Sequence, residues 1–344
     1  MIVDDSTVAR AVLSRMLASD PDFEVVALAG NSVEAVDALK SVAVDIVLLD
    51  VEMPGTSGLE ALPLIIRAGG GARVLVVSSM AEDGAEVAVR ALAQGAADTL
   101  PKPGASSPFN GRFAQVLGDR LRRIGRAGRE REVAVAATPH PSRPIHLRDT
   151  PDRPLGCVAL GASTGGLHAL IGFLGALPPR IGAPILVTQH LPAIFMSYFA
   201  RQLEAACNRK VLVAEDGRRV APDVVLVAPG DAHLELDRSG GEVRVRLNRR
   251  RAPSGCCPSV DPMLAAVAEV YGDTGAGVML SGMGRDGVIG AGKLVEAGGI
   301  MLAQDEFSSA IWGMPRCVAE AGLASAVLPP RELARRIALR AEMA

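Results

Sequence analysis

Two stretches of this chain alternate short apolar runs with longer amphipathic segments, and that alternation restricts the fold more than any other feature. In the first stretch the runs are 2–3, 24–28, 44–49, 73–77 and 97–100, with amphipathic segments over 6–18, 31–41, 57–68 and 83–94. Strands separated by helices do not pair through tight hairpins; they line up in parallel, with helices packed on both faces of the sheet. In the second stretch the runs are 157–161, 184–189, 224–228, 276–281 and 299–304. Within it LELD and EVRVRLN flank Gly240 and Gly241 and predict an antiparallel hairpin. The expectation is an α/β protein of two doubly wound parallel-sheet domains, the second with a β-hairpin insertion.

A further helix is expected over 108–124. From Gly125 to Pro154 the periodicity gives way to arginine-rich and then proline-rich sequence, with Pro139, Pro141, Pro144, Pro151 and Pro154. Proline removes backbone donors and stops helices, so this is read as a linker. The domains are therefore set at 1–124 and 154–344, with the linker at 125–153, in keeping with 344 residues at about 150 per domain. With 49% hydrophobic and 22% charged residues the chain is globular, not disordered.

Charge is spread unevenly. Residues 1–104 hold 7 Lys/Arg against 15 Asp/Glu, 105–153 hold 10 against 5, and 154–344 hold 19 against 18. A nearly neutral second domain lacks the basic excess that nucleic-acid binding demands, so no nucleic-acid partner is expected. The six arginines from Arg120 to Arg131 read either as a solvated helix end or as a patch for something acidic.

Cys157, Cys207, Cys256, Cys257 and Cys317 are odd in number and show no C-x-x-C spacing, while Asp4, Asp5 and Arg10 fall where a signal peptide would be apolar. A reducing cytoplasm is expected, with Cys256 and Cys257 as ordinary thiols. The uncharged stretches 155–179 and 181–200 are broken by STGGLH and TQHLP, so neither is expected to insert in a membrane.

In the first domain Asp4 and Asp5 follow strand one and Asp50 ends strand three. Parallel strands gather their C-terminal ends on one edge, so the three carboxylates should converge there. Uncompensated, they repel; a hard cation such as Mg²⁺ among them removes the repulsion. Ser78 ends strand four and Lys102 follows strand five. Cation, hydroxyl and ammonium around one carboxylate suit transfer of a phosphoryl group to it.

In the second domain the first strand opens into GASTGG at 161–166. One reading is a phosphate cradle, but the spacing is not G-x-G-x-x-G, and strand two ends in Gln189 and His190 where a dinucleotide fold would place an acid. The other is a nucleophile turn: the glycines expose Ser163 while the helix N-terminus offers N–H groups to a developing oxyanion. His190 after strand two is then the base and Asp286, after a later strand, orients it. Backbone amides near Thr164, Gly165 and Met283 are candidate oxyanion donors. His168, in the helix after the turn, and His233, in a loop, read as structural, and Asp286 alone could be a helix cap.

VDDS, DVEMPGTSG, SS and PKP resemble a two-component response-regulator receiver domain over residues 1–120. GASTGG, QHLP, PSVDPM, SGMGRDG and AQDEFSSAIWGMP behind it resemble the chemotaxis response-regulator protein-glutamate methylesterase family, CheB. The resemblance implies a flavodoxin-like receiver and a Rossmann-like catalytic domain. It implies Asp50 as phosphoacceptor, Asp4 and Asp5 as Mg²⁺ supports, and Ser78 and Lys102 as switch residues, with no cofactor in the catalytic domain. The implied reactions are hydrolysis of glutamate γ-methyl esters and deamidation of glutamines on methyl-accepting chemotaxis receptors, through an acyl-enzyme on Ser163, under control of a chemotaxis histidine kinase.

The resemblance further implies that the unphosphorylated receiver covers the active-site edge; the acidic first domain would then meet Arg249, Arg250 and Arg251, which could instead meet an acidic receptor helix. One departure stands out: only Met1, Ile2 and Val3 precede the acidic pair, so strand one is expected to be short, its natural start upstream, and the receiver less stable than its relatives. Two other functions fit the residues less well: a receiver-gated esterase for a non-chemotaxis substrate, and a non-catalytic receiver-gated binding module.

Overall fold

A computed structural model of the chain describes residues 1–53, 57–78, 82–102, 113–122, 124–125, 145–151 and 153–342. The chain divides into two compact units, Met1–His140 and Pro141–Ala344. Most of the expected linker, and residues 108–112 and 123 of the expected helix over 108–124, lie outside the described residues.

The first unit contains β1 (Ile2–Val3), α1 (Thr7–Ala18), β2 (Leu28–Ala29), α2 (Ser32–Leu39), β3 (Ile46–Asp50), α3 (Gly58–Ala68), β4 (Arg73–Ser78), α4 (Glu82–Ala93), β5 (Asp98–Pro101) and a helix α5 over 113–122. Its sheet is parallel throughout in the order β2-β1-β3-β4-β5. β1 is short, as expected, yet central: Ile2 and Val3 pair with β2 on one side and β3 on the other. The strand read at 24–28 is reduced to Leu28–Ala29, because a partner of two residues can register no longer ladder.

Side chains alternate across this sheet, so Ile2, Leu48, Leu75 and Leu100 fall on one face, where Leu13 of α1 and Leu117 and Leu121 of α5 close the core. Local sequence fixes the helix starts. Ser57 accepts from the Glu60 N–H while the Glu60 carboxylate accepts from the Ser57 N–H, a reciprocal cap that opens α3. Of the six arginines, Arg120 pairs with Asp98, and Arg122 with Asp20 and Asp22, so these two fasten α5 to its own unit.

In the second unit the strands are β6 (Cys157–Ala162), β7 (Ile185–Gln189), β8 (Val211–Val213), β9 (Val225–Val227), β10 (His233–Ser239), β11 (Glu242–Asn248), β12 (Gly275–Met279), β13 (Ile300–Gln304) and β14 (Ala324–Leu328). The helices are α6 (Gly166–Leu174), α7 (Ala193–Cys207), α8 (Val260–Tyr271), α9 (Val288–Glu296), α10 (Met314–Glu320) and α11 (Pro330–Ala341). Seven strands form an all-parallel sheet in the order β14-β13-β12-β6-β7-β9-β8. β10 and β11 make the expected antiparallel hairpin, turning at Gly240–Gly241. His233 is not in a loop: it is the first residue of β10 and is buried.

The order of the seven strands reverses direction at β6. The chain winds outward through β7, β8 and β9, then returns to lay β12 on the other side of β6. Loops leaving the C-terminal ends of β6 and β12 consequently diverge to opposite faces and leave a crevice, where α/β sheets carry their sites. No helix of the described residues is long and apolar enough to cross a membrane.

Candidate functional site

The crevice between β6 and β12 holds Ser163. Its turn is braced from three sides: Ser163 N–H donates to Ser281 O at 3.0 Å, Gln189 Nε2 donates to Ser163 O at 2.7 Å, and Ser281 Oγ donates to Thr164 O at 2.8 Å. Gly165 then starts α6 at φ +73°, and a Cβ there would lie 2.2 Å from the Ala310 Cβ, so only glycine satisfies both the backbone and the space. The backbone N–H groups of Thr164 and Met283 donate to no protein acceptor among the described residues. They are therefore open to a ligand oxygen.

His190 follows β7 and Asp286 follows β12. His190 Nε2 donates to Asp286 Oδ2 at 2.8 Å, which in the neutral ring fixes the tautomer and puts the lone pair on Nδ1. Ser163 Oγ makes no hydrogen bond to His190 among the described residues; catalytic contacts of this kind tighten when substrate binds. Burial lowers the His190 pKa, but the hydrogen bond to Asp286 and the adjacent Cys256 sulfur raise it more, and it stands at about 9.

Asp286 is 4% exposed and both its oxygens accept hydrogen bonds. Besides His190, Ser259 Oγ donates to its Oδ1 at 2.6 Å and the Val260 N–H to its Oδ2 at 2.7 Å. Burial alone would raise its pKa; the three donors reverse that and hold it well below the usual carboxylate range. Burial and the neighbouring Asp286 push Asp261 the other way, so any proton shared by this acidic pair rests on Asp261.

Ser259 is itself held from behind. Its N–H donates to His233 Nδ1 at 2.9 Å, and His233 Nε2 donates to Arg250 O at 2.7 Å. A continuous path thus runs from the Arg250 carbonyl through His233, Ser259 and Asp286 to His190. Ser259 and Gln189 have no site role in the sequence analysis and are marked there only by their places in PSVDPM and QHLP, while His233, expected to be structural, is what holds Ser259. Of the three arginines after β11, Arg249 is paired with Asp231 at 3.2 Å.

The first unit has its own cluster, again where strand order reverses, between β1 and β3. Asp4 and Asp50 are buried and Asp5 exposed, and one oxygen from each lies within 4.8 Å of the others. This is an all-oxygen donor set, which fits a hard cation of the Mg²⁺ type. Lys102 Nζ sits 2.6 Å from Asp50 Oδ2 and 3.5 Å from Asp4 Oδ2. The Lys102 N–H donates to the carbonyl of buried Ser78 at 2.6 Å, so those two residues share one edge of the cluster. Burial pushes Asp50 up against the opposing pull of Lys102, while Lys102 is raised because Asp50 and Asp4 outweigh its own burial.

Residues 158–337 match the family described as CheB methylesterase, and residues 1–110 the response regulator receiver domain. The protein-glutamate methylesterase/protein-glutamine glutaminase 1 of Paramagnetospirillum magneticum is 37% identical over 97% of this chain and 93% of its own length. The protein-glutamate methylesterase/protein-glutamine glutaminase 2 of Caulobacter vibrioides is 39% identical over 99% of this chain and 98% of its own. The crystal structure of the Thermotoga maritima CheB methylesterase catalytic domain superposes with a TM-score of 0.53 at 37% identity, covering 54% of this chain and 98% of that one.

Proposed function

This chain belongs to the CheB methylesterase family, and from that premise we propose that it demethylates glutamate γ-methyl esters, and deamidates glutamines, on methyl-accepting chemotaxis receptors under control of receiver phosphorylation. The observation that carries the reading is the 2.8 Å contact of His190 with Asp286 on the strand edge that also carries Ser163. The comparisons favour this enzyme over a non-catalytic binding module, since the likeness extends over nearly the whole chain.

Because Nε2 is committed to Asp286, Nδ1 is the basic nitrogen. His190 Nδ1 takes the Ser163 proton as Oγ attacks the γ-carbonyl carbon, and the Asp286 carboxylate stabilises the imidazolium that forms. The open N–H groups of Thr164 and Met283, with that of Gly165, are the donors for the oxyanion. His190 returns the proton to the departing methanol or ammonia. A water, deprotonated by the same nitrogen, then releases glutamate from Ser163. Ser259 and His233 act by holding Asp286 and are positioning residues.

In the receiver, Asp50 is the phosphoacceptor and a chemotaxis histidine kinase the donor. Asp4, Asp5 and Asp50 would hold a Mg²⁺, which when bound neutralises charge on the phosphoryl oxygens. Lys102 supplies a second positive charge beside Asp50, and the Ser78 hydroxyl would meet a new phosphoryl oxygen. The domain limits 1–124 and 154–344, with a linker over 125–153, and a cytoplasmic location belong to the same proposal.

The test is methanol release from methyl-labelled receptor membranes, with and without a small phosphodonor and Mg²⁺. Release should vanish in Ser163→Ala and lose its phosphodonor response in Asp50→Asn. No release from a parent protein whose Ser163 still reacts with a fluorophosphonate would instead mean a hydrolase for another substrate.

A further inference from the structure

Cys256 has no part in the hydrolysis described above, yet it is placed against the triad. Sγ of Cys256, a ring nitrogen of His190 and a carboxylate oxygen of Asp286 all lie within 4.8 Å of one another. Cys256 is a free thiol, half-buried, as is His190, so the cluster opens to solvent on one side and rests on buried Asp286 on the other. From this juxtaposition of thiol, imidazole and carboxylate we infer that Cys256, His190 and Asp286 form a binding site for a borderline-soft divalent cation of the Zn²⁺ type, and that its occupation switches the hydrolase off.

The donor chemistry selects the ion. One sulfur, one nitrogen and one oxygen are the three ligand types that Zn²⁺ accepts, at about 2.3, 2.0–2.1 and 2.0–2.2 Å respectively, whereas Mg²⁺ and Ca²⁺ take oxygen alone. The two clusters among the described residues therefore sort ions by kind: the all-oxygen receiver pocket suits a hard ion, this one a softer ion. Donors on a tetrahedral Zn²⁺ stand about 3–4 Å apart, so small side-chain rotations close the observed cluster onto an ion. Asp286 is already oriented by Ser259 Oγ and the Val260 N–H, the kind of outer support that strengthens a metal ligand. Three protein ligands leave a fourth position for water.

Inhibition follows from proton bookkeeping. Binding forms metal bonds to the three donors and releases to solvent the Cys256 thiol proton and, below about pH 9, one proton of the His190 imidazolium. A neutral imidazole carries one proton. If the ion takes the lone pair of one ring nitrogen, that proton stays on the other, and neither nitrogen can accept the proton of Ser163. The inhibitory half of this inference rests on His190 being the base for Ser163; the binding half does not.

Two readouts keep these halves apart. Addition of Co²⁺ to the full chain should produce a thiolate-to-metal charge-transfer absorption that persists in Cys257→Ala and is lost in Cys256→Ala, with both variants showing the unfolding midpoint of the parent. Zn²⁺ should compete the band away. In the parent, saturating Zn²⁺ should slow fluorophosphonate labelling of Ser163 by ~100-fold or more, the contribution of a general base, and chelation should restore it. In Cys256→Ser, a second variant that keeps side-chain size, the same Zn²⁺ should slow labelling far less. An unchanged Co²⁺ band in Cys256→Ala, or no band in the parent, would overturn the site. A band with unaltered Ser163 labelling would overturn the switch. Absence of labelling in metal-free parent protein would count against the hydrolase reading and leave the Co²⁺ result to decide the site.

Discussion

Asp50 and Asp286 are buried to the same degree, 3% and 4% exposed, both at or beyond the C-terminal end of a strand next to the point where strand order reverses, and their carboxyls are displaced in opposite directions. Asp50 has one backbone donor, the Glu52 N–H at 3.1 Å, and one ammonium, Lys102. Asp286 has an imidazole, a hydroxyl and a backbone N–H, all within 2.8 Å. Burial raises a carboxyl pKa, and what decides the outcome is how many of its lone pairs are already taken. The contrast matches two uses of one residue type. A carboxylate that must react has one donor on each oxygen and lone pairs to spare; a carboxylate that must hold another group still is gripped by three donors.

The sharpest way to break this contrast is Asp286→Asn, which keeps shape and removes charge. Turnover should fall by ~10⁴-fold, because an amide favours the wrong imidazole tautomer. The same variant should lower the inflection of the His190 imidazole in an NMR titration from about 9, since the carboxylate that offset burial is gone. In the parent the unprotonated base fills as pH rises, so turnover should climb through the neutral range and level off above about pH 9. A flat profile there would remove His190 as the base.

Lys102→Ala is the matching experiment in the receiver. Loss of one charged clamp should slow phosphorylation of Asp50 by a small phosphodonor by ~100-fold, followed as phosphoprotein formed, while Ser163 labelling persists. A smaller effect is expected from Ser259→Ala. A hydrogen bond to a charged group is worth about 1.5–3 kcal/mol, so turnover should drop roughly 10–100-fold with substrate binding little altered. Should KM rise while kcat holds, Ser259 would not be acting through Asp286.

Much of this was legible in the sequence because the rule that carries it is topological. Parallel strands place Asp4, Asp50, Lys102, Ser163, His190 and Asp286 at one edge of their sheets wherever the strand ends are found, and apolar runs mark those ends. What was not legible depends on contacts between loops. Ser259 reaches Asp286, and His233 reaches Ser259, from segments without periodicity, so no local pattern announces either bond. Cys256 against His190 is hidden for the same reason. β8 and β14 were missed because VLV is too short and ASAVL too rich in small residues to stand out, and both lie at sheet edges where less burial is demanded.

The smallest effect expected is at Gly58, behind the receiver pocket. A Cβ there would lie 2.1 Å from the carbonyl of Asp50, so Gly58→Ala must push α3 off the end of β3. The expected loss is about 1–3 kcal/mol, measured as a lower unfolding midpoint of the first unit, with the catalytic unit unaffected. If both units lost stability together, they would not be behaving as separate folding blocks.

That separateness bears on the order of events during synthesis. In the second unit β6 pairs with β12, so Cys157 finds its partner only when Gly275 has been made. At about 5–20 residues per second that interval lasts roughly 6–24 s, during which the Ser163 turn has no Ser281 carbonyl to rest on and His190 has no Asp286. The receiver, whose strands all lie upstream of residue 102, is complete before the interval begins. The regulatory half of the chain is therefore built before the hydrolase can exist in any form, and a nascent chain never carries the active triad ahead of the domain that governs it.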